Sequence, residues 1–269
     1  MTDLFDSIAP VRAGRTLSRR EAVRTGAAAG FSVVSRLALA SVPVAIAGVI
    51  RDAHAQGAPS ILDVLNYALT LEYLEDEFYR IGLSAPVGGT LTAAERNTIE
   101  QVSMHETAHV AFLQATIRNL QGTPVPKPAF DFTAGGVFGD VFSNRVTFLA
   151  VAQTFEDTGV RAYKGQAGNI MSNDTVLTAA LQIHSVEARH ASQIRRLRGQ
   201  KGWITNADRG DLPPQAQPTY DGEANTVHAG LDAAPFGSGS GGPAAVTEAF
   251  DEPLTMPEVL AIVRPFIVG

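Results

Sequence analysis

Cysteine is absent from all 269 residues. That excludes disulfides, iron–sulfur clusters and thiol catalysis, and it leaves Asp, Glu and His as the side chains able to hold a metal. Basic charge is scarce as well once residues 1–55 are set apart. Seven of the 21 Lys and Arg and four of the 27 acids lie there, which leaves 14 bases against 23 acids, a net charge of about −9. Such an acidic chain is a poor partner for nucleic acid or an anionic membrane. Beyond residue 55 no uncharged apolar run reaches the roughly 20 residues that a bilayer span needs. A chain with neither disulfides nor lipid to support it must rest on its own core, and the 214 residues from Gln56 onward are enough for one domain.

The opening segment reads as an address. Ser18-Arg19-Arg20 precedes a small and apolar run from Gly26 to Ile50, and Ala53-His54-Ala55 has the form of a cleavage site. That order is the order of a twin-arginine-type export signal over residues 1–55. Ala22 and Val23 stand where such a signal usually carries Phe and Leu, and Arg36 interrupts the apolar part. The competing reading is an uncleaved anchor, against which Leu37 to Ile50 offers only 14 uncharged residues. The expected location is therefore periplasmic or otherwise exported, with no membrane segment in the mature form.

Residues 56–202 carry the pattern of four long helices. Ser60 to Ile81 repeats apolar residues near the 3.6-residue period, with Ser60 as its cap. Thr92 and Glu95 form a capping box for a helix reaching Leu120, ended by Gly122, Pro124, Pro126 and Pro128. A connection to about Asp140 is long enough to cross from one end of a bundle to the other. Two more helices are expected, from about Ser143 to Ala167 and from Asn173 or Asp174 to Leu197. Residues 203–269 read as an extended tail that packs on the bundle. Phe250, Leu254, Val259, Leu260, Val263 and Phe266 are too apolar for water, and a short closing helix is expected after Thr255. The fold class is thus all-α, an antiparallel four-helix bundle with one long crossover.

The chemistry sits in two Glu-x-x-His pairs, Glu106 with His109 and Glu187 with His190. Residues three apart share a helix face, so each pair can offer a metal one carboxylate oxygen and one imidazole nitrogen. Glu72 stands 34 residues before Glu106 and Glu156 stands 31 before Glu187, distances that let a helical hairpin fold back and set a further carboxylate beside each pair. Each is followed seven residues later by a tyrosine, Tyr79 and Tyr163. The two tyrosines read equally as core aromatics or as hydrogen-bonding and electron-donating neighbours of the site. Glu75 competes with Glu72, because its own distance to Glu106 is 31 residues. His105 and His184 flank the pairs, and His184, one turn before Glu187, reads as an extra ligand or partner or as an ordinary helix histidine.

The segments LNYALTLEYLEDEFYR, HETAHVAFL, FEDTGVRAY, SVEARH and AFDEPLT, taken together, resemble the bacterial exported ferritin-like domain proteins, a group related to plant desiccation-related proteins. The resemblance spans about residues 58–268. It implies a ferritin-like bundle holding two metal ions, iron first and manganese next, with mixed oxygen and nitrogen ligation that does not set zinc apart on affinity. It further implies that Glu106 and Glu187 bridge the ions, that Glu72 and Glu156 are terminal ligands, and that His109 and His190 each cap one ion. The expected chemistry is oxidoreductase chemistry with dioxygen or peroxide, ferroxidase-like or peroxide-removing. The alternative is a non-catalytic protein of stress or desiccation whose bundle the metals stabilise. Without cysteine there is no rubredoxin-type centre, and the long tail is unlike the ending of cage-forming ferritins, which leaves other oligomers open.

Overall fold

The computed structural model describes residues 59–239 and 241–268. The export signal expected over residues 1–55 lies outside them. Four long helices carry the fold: α1 (Ile61–Ser84), α2 (Ala93–Asn119), α3 (Arg145–Gln166) and α4 (Asp174–Leu197). Each begins where the sequence supplies an acceptor for the orphaned first-turn amides. Ser60 pairs reciprocally with Asp63, and Thr92 with Glu95, while Asn144 and Asn173 cap α3 and α4. Glu95 does a second task, since its carboxylate also takes Arg145 Nε at 2.8 Å and so ties the start of α2 to the start of α3.

Helices α1 and α2 form one hairpin and α3 and α4 the other, packed so that their inner faces share a core. At one end the core is aromatic. Phe78 stacks on Phe148 with centroids 4.8 Å apart, and Phe132 from the crossover and Phe155 from α3 pack on the same ring. Gly82 makes this approach feasible, because a Cβ there would stand 2.3 Å from a Phe148 ring carbon. The crossover after α2 is pinned in turn by the chain's end. Asp131 N–H donates to the Phe266 carbonyl at 2.8 Å and Val268 N–H to that of Ala129 at 2.9 Å.

The tail runs over the α3–α4 hairpin through short 3-10 turns, a two-residue strand pair (β1, Val227–His228; β2, Leu231–Asp232) and two short helices, α5 (Pro243–Thr247) and α6 (Met256–Val263). Thr255 and Glu258 box the start of α6. Phe250 departs from the expectation of burial. It is 45 % exposed and lies flat on His228, centroids 3.6 Å apart. A partner ring covers one face, and the other faces water. The tail crosses α3 so closely that a Cβ on Gly165 would stand 1.9 Å from the Leu254 carbonyl oxygen.

Candidate metal centre

The four bundle helices bring six side chains to one buried place. Glu72 comes from α1, Glu106 and His109 from α2, Glu156 from α3, and Glu187 and His190 from α4. All four carboxylates are wholly buried, His190 is 5 % exposed, and the His109 side chain 12 %. Their donor atoms fall into two overlapping groups: Glu72, Glu106, His109 and Glu187 in one, and Glu106, Glu156, Glu187 and His190 in the other. Within each group one atom per residue lies within 4.8 Å of every other. Glu106 and Glu187 belong to both. The arrangement follows from the repeat, since each helix pair delivers one lone glutamate and one Glu-x-x-His.

The distances show carboxylates drawn close around two imidazoles. His109 Nδ1 lies 3.2 Å from Glu72 Oε2, 3.0 Å from Glu106 Oε2 and 3.2 Å from Glu187 Oε1. His190 Nδ1 lies 2.8 Å from Glu106 Oε1 and 3.4 Å from Glu156 Oε2. Yet Glu106 Oε1, Glu156 Oε2, both Glu187 oxygens and His190 Nδ1 make no hydrogen bond, although all are buried. His109 Nδ1 does hydrogen-bond Glu72 Oε2 and Glu106 Oε2, but Glu187 Oε1 beside it and the two oxygens beside His190 Nδ1 crowd the imidazoles without making a hydrogen bond. Buried polar atoms of native proteins are ordinarily satisfied, and carboxylates above all. Orphaned oxygens and nitrogens that converge on common points fit divalent cations with oxygen and nitrogen ligands, and so the residues present could hold metal ions.

The electrostatics agree. Burial, reinforced by the charges of Glu106 and Glu72, pushes the Glu187 carboxyl well up. Burial also raises Glu106 to about 7 against the opposing pull of both imidazoles. Burial by itself would lower His190, but the charge of Glu156 and the nearness of Glu106 outweigh it and push the imidazole up to about 11. In effect the cluster holds protons that its surroundings would otherwise shed, and a cation would displace them.

The remaining site candidates are placed as follows. Tyr79 O–H donates to Glu156 Oε1 at 2.5 Å, and Tyr163 O–H donates to Glu72 Oε1. Each tyrosine thus reaches across to the other hairpin's glutamate. Glu75 belongs to neither donor group, although it is 3 % exposed. It sits beside the cluster instead: a Cβ on Gly159 would stand 3.2 Å from Glu75 Oε1 and 3.3 Å from Glu187 Oε2, so the glycine makes room for both carboxylates. Burial and the Glu187 charge raise its carboxyl well above the usual range. His184 lies outside both groups. Burial lowers its imidazole, with the charge of Lys164 adding to the effect.

His105 is the residue that sequence reasoning gave no role. Its Nδ1 stands 2.9 Å from His190 Nε2, the two rings are nearly parallel at 13°, and the Gln101 amide meets its other nitrogen at 3.1 Å. The available signal was its place four residues before His109, which puts two histidines on one side of α2.

Residues 60–200 match the model of the ferritin-like domain family. The chain belongs to that family, and the bundle and its buried Glu and His cluster are those of a ferritin-like protein. A search among curated proteins finds no match.

Proposed function

We propose that this protein binds a pair of iron or manganese ions in the Glu and His cluster and turns them to redox chemistry with dioxygen or peroxide, outside the cytoplasm. The observation that carries this reading is the pair of overlapping donor groups with orphaned buried atoms. Glu72, Glu106, His109 and Glu187 would hold one ion and Glu106, Glu156, Glu187 and His190 the other. When bound, such ions supply one-electron steps and open positions for a small oxidant.

The chain's own residues do the rest. Tyr163 and Tyr79 each fix one oxygen of a lone glutamate, Glu72 and Glu156, so that the other oxygen, beside His109 in Glu72 and without a hydrogen bond in Glu156, would be the one to face an ion. Close packing of α1 and α3 on the cluster keeps bulk water away. A cavity of about 30 Å³ lies between the four helices, with Tyr163, Tyr67, Leu71, Phe112 and Ile183 on its almost wholly apolar wall. It is wide enough for a molecule of one or two heavy atoms and poor in hydrogen-bonding groups, which suits dioxygen better than peroxide. The arginine pair and the Ala53-His54-Ala55 site support export of the folded protein.

Metal analysis of the purified protein beside a Glu106→Ala, Glu187→Ala double variant tests the binding. About two ions per chain in the native protein and none in the variant are expected, and equal contents would overturn the reading. Stopped-flow absorbance after mixing the reduced, loaded protein with oxygen or peroxide tests the chemistry. Tight binding with no reaction would assign the ions to stabilising the bundle.

A further inference from the structure

The two halves of the cluster repeat each other in their ligands but not in what stands behind them. His190 presents Nδ1 to Glu106 and Glu156, and its opposite nitrogen, Nε2, lies 2.9 Å from His105 Nδ1. The residue preceding Glu106 is His105, whereas the residue preceding Glu187 is Val186. By the repeat, the residue that corresponds to His105 is Val186, an aliphatic side chain with no nitrogen or oxygen to offer an imidazole.

The proton positions follow from the chemistry of the ring. An imidazole that binds a cation through Nδ1 must carry its proton on Nε2, so His190 Nε2–H is the donor and His105 Nδ1 the acceptor. His105 then carries its own proton on Nε2, 3.1 Å from the Gln101 amide nitrogen, so the amide must turn over to accept that proton through its oxygen. The direction of the first bond is the same when His190 is doubly protonated, so the contact is compatible with both states of the cluster. A hydrogen bond of this kind fixes both the tautomer and the ring plane of a metal-binding histidine and makes its free nitrogen a better donor.

We propose that His105 is a positioning residue that makes the two ion positions unequal, holding His190 Nδ1 toward Glu106 and Glu156 so that the ion on the His190 side is bound more tightly than the ion on the His109 side. The proposal rests on the di-metal reading, and its test is built to fail separately from that reading. The probe is Co(II), whose absorption reports its ligands, titrated into the full chain and into His105→Leu and His105→Asn variants.

Two unequal binding steps are expected in the native protein. In His105→Leu the tighter step should weaken about 10–100-fold while the weaker one is unchanged. In His105→Asn, whose side-chain oxygen stands near the place of Nδ1, much of the difference should return. Equal weakening of both steps in His105→Leu, or no change in either, overturns the proposal. The metal-free protein gives a second measurement that needs no ion and no variant: a through-hydrogen-bond coupling between His190 Nε2 and His105 Nδ1 in nitrogen-15 NMR. Its absence overturns the proposal as well. Its presence in a protein that takes up no Co(II) would keep the contact and overturn the di-metal reading instead.

Discussion

Glu156 and Asp157 are neighbours on α3, and both are buried, at 0 % and 3 % exposure. About 100° of helix rotation sends them to different faces, and there they meet opposite circumstances. Asp157 faces α4 and the tail, where Arg195 of α4 donates to both of its oxygens, at 2.9 and 2.7 Å, and Tyr220 of the tail adds a third bond at 2.6 Å. Glu156 faces the bundle interior, where Tyr79 occupies one oxygen and the other has no bond at all. Arg161, one turn on, belongs with Asp157: it donates to the carbonyls of Thr219, Asp221 and Glu252 and meets Glu223 at 2.9 Å. A buried charge whose partners are all supplied by the chain holds architecture together. One left short of partners marks a place for something the chain does not contain.

The contrast breaks most visibly at Arg161. Arg161→Ala strands three carbonyls and Glu223 and should cost about 3–5 kcal/mol in urea denaturation, with the tail becoming the first site of proteolysis. If the tail resists protease and stability changes by less than about 1 kcal/mol, the clamp does not hold it. The neighbouring pair sharpens the point. In metal-free protein Asp157→Asn should lose about 2–3 kcal/mol, because Arg195 is left without its counter-charge. Glu156→Gln should cost nothing or stabilise by up to about 2 kcal/mol, because one of four crowded carboxylates disappears. Equal losses in the two would erase the distinction.

The pH dependence of metal-free protein comes next. Glu106 at about 7 and His190 at about 11 both lie above their ordinary values of about 4.3 and 6.5. The folded state therefore holds more protons than the unfolded one, and the stability these groups contribute at low pH is lost as pH rises. The loss should run from about pH 4.5 to 7 for Glu106 and from about 6.5 upward for His190. Bound metal takes the place of those protons, so thermal melts in chelator should fall with pH where metal-loaded melts hold or rise. Parallel curves would count against the cluster as a cation site. The smallest expected effect is that of Tyr79→Phe, about 1 kcal/mol of stability and about tenfold in affinity for one ion, read by the same titration.

The bundle was legible because its signals are local. Ser60, Thr92, Asn173 and Thr255 cap helices through bonds to residues three along the chain, and the prolines after Gly122 stop α2. The pairing of Glu with His was legible for the same reason. The seven-residue offset to Tyr79 favours Glu72 over Glu75, one turn away on the same helix, but spacing could not settle the choice, since it depends on how α1 is rotated against α2. Only the three-dimensional arrangement puts Glu72 beside His109 and Glu75 beside Gly159. Nor could spacing find the partner of either tyrosine, because the hydrogen bonds run between hairpins rather than within them. His105 was hidden by its position: adjacent to Glu106, it points about 100° away from that residue on α2 and meets His190 through the packing of α2 against α4.

The crossing of the tyrosines has one more consequence. Each hairpin carries three of the six candidate ligands, and the glutamate that each lends to the centre is held by a hydroxyl from the opposite hairpin. Neither hairpin is therefore half of a working site by itself. The contact has the form made by two like units facing each other across a twofold axis, in which the first touches the second at the same place that the second touches the first. Parting the hairpins would undo both halves together, so retention of any bound ions and docking of the hairpins would form a single cooperative event.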